Sequence, residues 1–419
     1  METLYIKGGK TLDGTLQVPT AKNALLPILA GSIICDGEVI IHNCTHLSDV
    51  DYMCKILASL GCKITKNSRD IYISTSDADK YYIKEEFTKK IRSSIFMLGP
   101  LLSKFKRAKV AYPGGCNIGA RPIDLHIKGL KALNVKIDEK HGYIYCNGDN
   151  MRAGEIHLDF PSVGATENLM MASVLLKGTT TIYNSAREPE IEDLQNFLNS
   201  MGADVKGAGT STIIVRGVKK LVSTEFTPIK DRIICGTYLI ACAMAGGNIT
   251  LEGCPREYNL ALLSKLKQAG ARLKVHGSNI NISCSGRLKS LASVDTQPYP
   301  GFPTDLQSQI LSLQTISKGT SLITENLFET RFKICTELNK MGADITIKDR
   351  MAIVKGVPKL YGANVIAGDL RGGAGLVLAG LSADGYTTVE EVYHIDRGYE
   401  NIEVDLQKLN AEITRKVTI

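Results

Sequence analysis

The chain carries the stretch Leu198-Asn199-Ser200-Met201-Gly202-Ala203-Asp204-Val205, and this stretch returns in altered form along the sequence. Close copies are Leu266-Lys267-Gln268-Ala269-Gly270-Ala271-Arg272-Leu273 and Leu338-Asn339-Lys340-Met341-Gly342-Ala343-Asp344-Ile345. Each copy predicts a helix end that runs into a strand, because its central Gly or Asn can adopt the left-handed conformation that ends a helix. The central Gly or Asn occurs six times in the chain, at positions 61, 134, 202, 270, 342 and 410, and successive copies lie 68 to 73 residues apart.

A second marker lies about 40 residues upstream of each stretch, and it is an apolar helix. A helix that is apolar nearly all round, such as the one containing residues 169–176, is typically buried. The pattern therefore predicts six units, each with a helix, a strand, a second helix and two or more strands. These apolar helices begin near Lys22, Arg92, Ser162, Asp231, Thr304 and Asp369.

The six units predict an α/β protein with two similar domains, each enclosing three buried helices behind three small sheets. A solenoid is the competing architecture for a repeat protein, but the period is long and the apolar helices need cover on all sides. We expect the boundary near Lys230, which gives one domain at 22–229 and another at 1–21 plus 230–419. We also expect the first 20 or so residues to form a strand that completes the sixth unit.

Composition excludes several classes of protein. The chain has 419 residues and a net charge of +7, and it lacks an apolar run long enough for a membrane span or a signal peptide. The absence of Trp and of alternating basic and aromatic residues argues against a nucleic-acid partner. The 11 cysteines include no C-x-x-C pair, which favours a cytoplasmic protein with free thiols. His42 and His46 have no evident third ligand, so we predict no metal.

The stretch from Ala111 to His126 is the main candidate for chemistry. It reads AYPGGCNIGARPIDLH and combines the thiol of Cys116 with the guanidinium of Arg121 on a glycine-rich loop. A nearby cation lowers a thiol pKa by favouring the thiolate. A surface turn with an incidental cysteine is the alternative, but the surrounding glycines and charges favour a functional loop.

The first residues of the apolar helices are the second candidate. Asp and Ser at these positions are ordinary helix caps. Capping does not explain a cation, which opposes the helix dipole at an N-terminus. If these helices point at one cleft between the domains, that cleft suits a ligand with more than one phosphate or carboxylate. The unexplained cations are Lys22, Arg92, Arg232 and Arg371.

These motifs together resemble the UDP-N-acetylglucosamine 1-carboxyvinyltransferases, a branch of the EPSP synthase family. The resemblance covers essentially the whole chain and rests on PGGCxIGxRPxDLH from Pro113, on SVGAT from Ser162, and on HIDRGY from His394, with AKNA from Ala21 and FPTD from Phe302. It implies an inverted α/β barrel, a two-domain alpha/beta prism of six βαβαββ repeats with three repeats per domain.

The resemblance also implies a reaction and its residues. The enolpyruvyl group of phosphoenolpyruvate would pass to the 3′-hydroxyl of UDP-N-acetylglucosamine, with release of phosphate and without a metal or organic cofactor. Cys116 would protonate the methylene carbon, Asp305 would take the hydroxyl proton, and Lys22, Arg121 and Arg397 would hold phosphoenolpyruvate. Arg331, Asp369 and Arg371 would support the intermediate. The sugar nucleotide would bind at Asn23, Arg92, Arg121, Pro122, Ile123, Asp124, Leu125, Ser162, Val163, Gly164, Asp305 and the Leu327 backbone.

Two departures and two alternatives accompany this resemblance. Phe160 stands where some relatives have a lysine, and the glycines after Arg371 are expected to loosen that helix start. The shikimate-pathway enolpyruvyl transferase shares the barrel but lacks the Pro-Gly-Gly-Cys loop. A non-catalytic protein that binds UDP-sugars is the alternative from another class, although the intact set of Lys22, Cys116, Asp305 and Arg397 argues against it. The sequence leaves the oligomeric state open.

Overall fold

The computed structural model describes residues 2–114 and 123–417. Their contacts divide them into two compact units. The first unit comprises residues 2–19 and 230–417, and the second comprises residues 20–114 and 123–229. The first unit is therefore built from two separate stretches of chain, and the second unit is built from the part of the sequence that connects them.

Helices and strands follow one another in a regular order along the chain. Residues 2–19 form β1 (Glu2–Lys7) and β2 (Leu12–Gln17). The second unit has helices α1 (Lys22–Ser32), α2 (Ser48–Ser59), α3 (Glu85–Thr88), α4 (Leu98–Phe105), α5 (Asp124–Ala132), α6 (Val163–Ser173) and α7 (Pro189–Ser200). Its strands are β3 (Glu38–Ile41), β4 (Lys63–Asn67), β5 (Asp70–Ser74), β6 (Tyr82–Ile83), β7 (Arg107–Ala111), β8 (Lys136–Lys140), β9 (Tyr143–Asn147), β10 (Glu155–His157), β11 (Thr179–Tyr183), β12 (Asp204–Lys206), β13 (Thr212–Arg216) and β14 (Thr224–Phe226).

Residues 230–417 continue the same alternation. Their helices are α8 (Arg232–Ala245), α9 (Leu260–Ala269), α10 (Gln307–Ile316), α11 (Ile334–Lys340), α12 (Leu370–Ser382) and α13 (Ile402–Lys408). Their strands are β15 (Gly247–Glu252), β16 (Arg272–His276), β17 (Asn279–Cys284), β18 (Ser293–Asp295), β19 (Thr320–Thr324), β20 (Asp344–Lys348), β21 (Met351–Lys355), β22 (Asn364–Ile366), β23 (Tyr386–Glu390) and β24 (Glu412–Val417). Short 3₁₀ helices lie at Arg92–Met97, Arg256–Asn259, Thr304–Leu306, Arg331–Lys333 and Val392–Arg397.

The strands of the described residues form mixed sheets of four strands, each with one parallel and two antiparallel pairings. The second unit has the strand orders β14-β3-β5-β4, β6-β7-β9-β8 and β10-β11-β13-β12. The first unit has the orders β2-β15-β17-β16, β18-β19-β21-β20 and β22-β23-β1-β24. The predicted α/β class is confirmed.

The N-terminal stretch differs from its prediction. β1 does join the last sheet of the chain, where Ile6 pairs with both Thr387 and Ile413. β2 instead pairs in parallel with β15, with Leu16 opposite Leu251. The predicted strand is therefore β1, and the prediction was wrong only in leaving out β2, which joins the sheet of β15. Leu4 and Ile6 of β1 and Leu12 and Leu16 of β2 are buried on one face of each strand, so each strand can complete a separate sheet of the first unit.

The predicted helix ends have left-handed backbone. All six Gly or Asn positions have positive φ, from 64° at Asn134 to 105° at Gly270. Upstream of them, the apolar helices α1, α4 and α6 lie in the core of the second unit, and α8, α10 and α12 lie in the core of the first. Buried side chains of the strands pack against these helices. Together the strands and helices form one hydrophobic core in each unit.

One cysteine pair contradicts the prediction of free thiols. Cys235 in α8 and Cys254 after β15 form a disulfide, with their Cα atoms 6.1 Å apart. That distance lies in the usual range for a disulfide, and the sequence separation of 19 conceals the pair from any motif search. The remaining cysteines of the described ranges are buried thiols. Burial raises the pKa of Cys335 to about 12, which makes that thiol a poor nucleophile.

Candidate functional site

The carboxylate of Asp305 joins two arginines from distant parts of the first unit. Its Oδ1 accepts a hydrogen bond from Arg331 at 2.6 Å, and its Oδ2 accepts one from Arg371 at 3.0 Å. The side chains of Arg331 and Arg371 are only 2% and 6% exposed, whereas that of Asp305 is 26% exposed. The carboxylate is therefore the more accessible member of an otherwise buried cluster, which we call the Asp305 triad.

The triad fixes the charge state of its members. Burial opposes ionisation of Asp305, but the charges and hydrogen bonds of Arg371 and Arg331 outweigh it and hold the carboxyl pKa well below its usual range. Burial likewise lowers the pKa of Arg371, and the Asp305 charge reverses this and raises it. In this state Asp305 is a hydrogen-bond acceptor and a very weak base. An anion that took over the two guanidiniums would raise its pKa and make it a better proton acceptor.

Helix caps account for some of the predicted site residues but not for Asp305. The Oδ1 of Asp369 accepts hydrogen bonds from the backbone N–H groups of Arg371 and Gly372 at 3.0 Å, so this side chain caps α12. Asp231 caps α8 in the same way, and the hydroxyl of Ser162 caps α6 more weakly at 3.4 Å. Asp369 thus fixes the start of the helix that carries Arg371.

The glycines after Arg371 have a packing role. A Cβ at Gly373 would lie 2.6 Å from the Ile395 side chain, and one at Gly375 would lie 2.7 Å from Ile334. These glycines let neighbouring segments approach α12 closely, and the helix is regular from Leu370 onward. The expectation that they loosen the helix start stays a prediction.

Arg397 ends the 3₁₀ helix Val392–Arg397, and its neighbour Asp396 is tightly held. Arg415 donates to both carboxylate oxygens of Asp396, at 2.7 and 2.9 Å. The same guanidinium pairs with Glu403 at 2.8 Å and with Glu2 at 2.6 Å. This bidentate pairing restricts the backbone beside Arg397. Arg415 gives no signal in the sequence, because it lies in β24 among residues that are mostly not buried.

In the second unit, Lys22 is the first residue of α1 and forms an ion pair with Asp49. Lys22 Nζ lies 3.2 Å from Asp49 Oδ2, and both side chains are largely buried. The residue before the helix, Ala21, supplies no side-chain cap. Asp49 compensates a charge that the helix dipole disfavours. Asp49 gives no signal in the sequence, because an acidic residue in the first turn of a helix such as α2 is common.

A buried amide brings together three segments predicted to bind the sugar nucleotide. Asn168 donates to the Ile95 carbonyl at 2.8 Å and accepts from the Gly99 N–H at 2.7 Å. It also lies 2.8 Å from Nδ1 of His126, which requires His126 to carry its proton on Nε2. These bonds join α6 to α5 and to the 3₁₀ helix Arg92–Met97. A Cβ at Gly164 would lie 3.1 Å from the Phe96 ring and 3.2 Å from the His126 ring, so a larger residue there would require these rings to shift.

The remaining predicted residues are distributed around these anchors. Ile123 is buried and Asp124 is exposed at the start of α5, while Leu125, Ser162 and Val163 are partly exposed. Asn23, Arg92 and Leu327 are also partly exposed. Cys116, Arg121 and Pro122 lie outside the described residues, and their roles stay predictions. Within 2–114 and 123–417, no cluster of three or more His, Cys, Asp or Glu residues has the geometry of a metal site.

No helix in the described ranges combines the length and apolar character needed to cross a membrane.

The fold and the charged groups define an α/β protein with mixed sheets, in which ion pairs lie at the starts of several helices. Solved structures share this fold. The enolpyruvyl transferase NikO from Streptomyces tendae superposes with a TM-score of 0.89 at 22% identity, covering 100% of this chain and 99% of NikO. An EPSP synthase from Acinetobacter baumannii gives 0.76 at 18% identity, with 100% of both chains covered.

Sequence comparison identifies the family. The family described as EPSP synthase (3-phosphoshikimate 1-carboxyvinyltransferase) matches residues 6–406. A UDP-N-acetylglucosamine 1-carboxyvinyltransferase 2 from Caldanaerobacter subterraneus subsp. tengcongensis is 53% identical, over 99% of this chain and 100% of the relative. A UDP-N-acetylglucosamine 1-carboxyvinyltransferase 1 from Symbiobacterium thermophilum is 48% identical, over 99% of this chain and 95% of its own length. The chain belongs to the EPSP synthase family.

Proposed function

We propose that this chain is an enzyme that transfers the enolpyruvyl group of phosphoenolpyruvate to the 3′-hydroxyl of UDP-N-acetylglucosamine and releases phosphate. The reaction is the first committed step of peptidoglycan synthesis. The observation that carries the proposal is the near full-length identity of 45–53% to relatives named for this reaction. We also propose a cytoplasmic location, because both substrates are phosphorylated metabolites made there.

The reaction is an addition followed by an elimination, and both steps need proton transfers. In the addition, the 3′-oxygen bonds to the central carbon of phosphoenolpyruvate while the methylene carbon gains a proton. Cys116 supplies this proton, and Asp305 receives the hydroxyl proton. In the elimination, the new methyl group returns a proton to the Cys116 thiolate that the addition left, and phosphate leaves with the electron pair of its C–O bond, which restores the double bond. Acid and base groups placed in this way each contribute on the order of 10²–10⁴-fold.

The Asp305 triad supports this assignment of a base. Its guanidiniums bind an anionic group of phosphoenolpyruvate or of the tetrahedral intermediate, and they then compete less for Asp305. The carboxylate is released from its ion pairs when the substrate anion arrives, and its proton affinity rises at that moment. Arg331 and Arg371 therefore couple substrate binding to the activation of Asp305, and Asp369 holds Arg371 at the start of α12.

The other cations hold the two polyanionic substrates. Lys22, Arg121 and Arg397 bind the phosphate and carboxylate of phosphoenolpyruvate, and they reduce its repulsion from the UDP group. The sugar nucleotide binds at Asn23, Arg92, residues 121–125, residues 162–164 and the Leu327 backbone. Because the Leu327 N–H already donates to Glu325 at 2.8 Å, the group at Leu327 that is available to a ligand is its carbonyl.

We further propose that the six sheets are copies of one βαβαββ repeat in an inverted α/β barrel, with three repeats in each of two domains. The shared strand order and the left-handed residue at each second-helix end support this arrangement. The domains are residues 22–229 and residues 1–21 plus 230–419.

Phosphate release from purified protein tests the proposed reaction. We expect release with phosphoenolpyruvate plus UDP-N-acetylglucosamine and none when either substrate is omitted. Fosfomycin, an epoxide, should inactivate the enzyme by alkylating Cys116, and Cys116→Ser should abolish both turnover and labelling. The buried Cys335 serves as the internal control and should stay unlabelled in peptide maps. Binding of the sugar nucleotide without phosphate release would instead favour a non-catalytic UDP-sugar-binding protein.

A further inference from the structure

Glu325, which follows β19, has a buried carboxylate that collects hydrogen bonds from three segments. The residue is 1% exposed. Its Oε1 accepts from the Thr296 hydroxyl at 2.9 Å and from the backbone N–H groups of Leu327 and Phe328 at 2.8 and 3.0 Å. Its Oε2 accepts from the Thr304 hydroxyl at 2.9 Å. A buried carboxylate is tolerated only with partners of this kind, and hydrogen bonds to a charged acceptor are the stronger class.

These partners lie on both sides of the Asp305–Arg331 ion pair. Thr304 immediately precedes Asp305 in the 3₁₀ helix Thr304–Leu306. Phe328 lies just before Arg331, accepts a hydrogen bond from its N–H at 3.3 Å, and stacks beneath its guanidinium at 5.4 Å. One oxygen of Glu325 thus holds the segment that carries Asp305, and the other holds the segment that carries Arg331.

Local turn formation explains the hydrogen bonds from Leu327 and Phe328 but not the one from Thr304. A carboxylate often accepts hydrogen bonds from N–H groups two and three residues ahead, as Glu325 does with Leu327 and Phe328. The bond to Thr304 spans 21 residues and contributes nothing to that turn. A neutral side chain could close the turn without the cost of burying a charge. The second oxygen therefore needs an explanation outside the turn.

We propose that Glu325 is a positioning residue that acts through Thr304 to set the distance between Asp305 and Arg331. This inference rests on the proposed function, in which Asp305 exchanges a proton with the substrate. A catalytic group misplaced by about 1 Å loses on the order of 10²-fold in rate. Loss of the Thr304 hydroxyl should therefore lower kcat more than it changes KM.

The chain offers isosteric variants that separate positioning from folding. Thr304→Val removes the hydroxyl and keeps the shape, so only the Oε2 bond is lost. Thr304→Ser keeps the hydroxyl and should restore the bond. Glu325→Gln keeps one carbonyl oxygen for Leu327 and Phe328, and its amide can donate to the Thr304 oxygen. Thr320→Val, at the exposed start of the same strand β19, is the matched control.

The experiment compares phosphate-release kinetics and hydrogen–deuterium exchange for these variants. We expect Thr304→Val to lower kcat about 10- to 100-fold with KM changed by less than about 3-fold, while Thr304→Ser and Thr320→Val stay within about 3-fold of wild type. Exchange should accelerate at residues 304–306 in Thr304→Val and stay unchanged at 327–328. We expect Glu325→Gln to be milder than Thr304→Val.

Two outcomes would overturn the proposal. One is a Thr304→Val enzyme with wild-type kcat and wild-type exchange. The other is a Thr304→Ser enzyme as slow as Thr304→Val, because the hydroxyl would then be irrelevant. Phosphate release by wild type in the same assay tests the proposed function separately. If wild type releases no phosphate, the exchange comparison of Thr304→Val with Thr304→Ser still tests the positioning role.

Discussion

Replacing Asp305 by Asn removes the negative charge of the triad with almost no change in side-chain shape. Arg331 and Arg371 remain buried at 2% and 6% exposure and lose the carboxylate that both contact. Breaking a buried ion pair by removing one partner costs about 3–5 kcal/mol. Because Asp305 is itself 26% exposed, we expect the lower end of this range, a loss of about 3 kcal/mol in the free energy of unfolding.

Urea denaturation at several pH values measures this loss. The folded-state pKa of Asp305 is depressed, so its stabilising contribution is present above the ordinary Asp pKa of about 3.9 and is lost as the pH falls below it. The difference between wild type and Asp305→Asn should therefore be constant from about pH 5 to pH 8 and shrink below about pH 4. Asp295→Asn, at an exposed position of β18, is the control and should be neutral.

A stability for Asp305→Asn within about 0.5 kcal/mol of wild type at pH 7 would refute this reasoning. It would mean that the two arginines find other partners or water without cost. The same variant should lose most of its turnover, since an amide cannot accept the hydroxyl proton. An active Asp305→Asn enzyme would contradict the role proposed for the carboxylate as a base.

Two further perturbations test the packing and the titration. Gly373→Ala should destabilise the protein by about 1–3 kcal/mol in urea denaturation, because its Cβ would lie 2.6 Å from Ile395. Gly368→Ala, where a Cβ meets open space, is the control, and equal stability of the two variants would contradict the packing argument. Burial, with a smaller contribution from the Glu190 charge, raises the pKa of Asp193 to about 7. The folded state therefore retains a proton that the unfolded state releases, so stability should fall as the pH rises from about 4 to 7. Asp193→Asn should weaken this fall, and an unchanged pH profile would show that Asp193 does not titrate there.

The helical pattern of the fold was accessible from the sequence because it depends on local signals. Gly202 and Asn410 end helices for a conformational reason that residue type alone reveals. The helix starts at Lys22 and Asp369 were likewise visible as charged residues before apolar runs. β2 was missed because nothing within residues 12–17 identifies β15 as the partner strand.

The interactions within the candidate site were much less accessible. Asp305 could be named from its resemblance to a family motif, but its pairing with Arg371 depends on how α10 and α12 pack. Asp49 and Arg415 look like ordinary surface charges until their partners are known. Glu325 was missed for the same reason, since an acidic residue after a strand gives no sign of burial.

The division of the first unit between the two ends of the chain has a consequence for its biosynthesis. Ribosomes extend chains at about 5–20 residues per second, so roughly 10 to 40 s separate the synthesis of residue 230 from that of residue 417. The second unit can fold during this interval. β1 must wait through most of this interval, because its partners β23 and β24 are made last, whereas β15, the partner of β2, follows soon after residue 230. Nascent chains stalled far enough past residue 230 for the whole second unit to leave the ribosome should therefore contain a protease-resistant second unit and a protease-sensitive β1 segment.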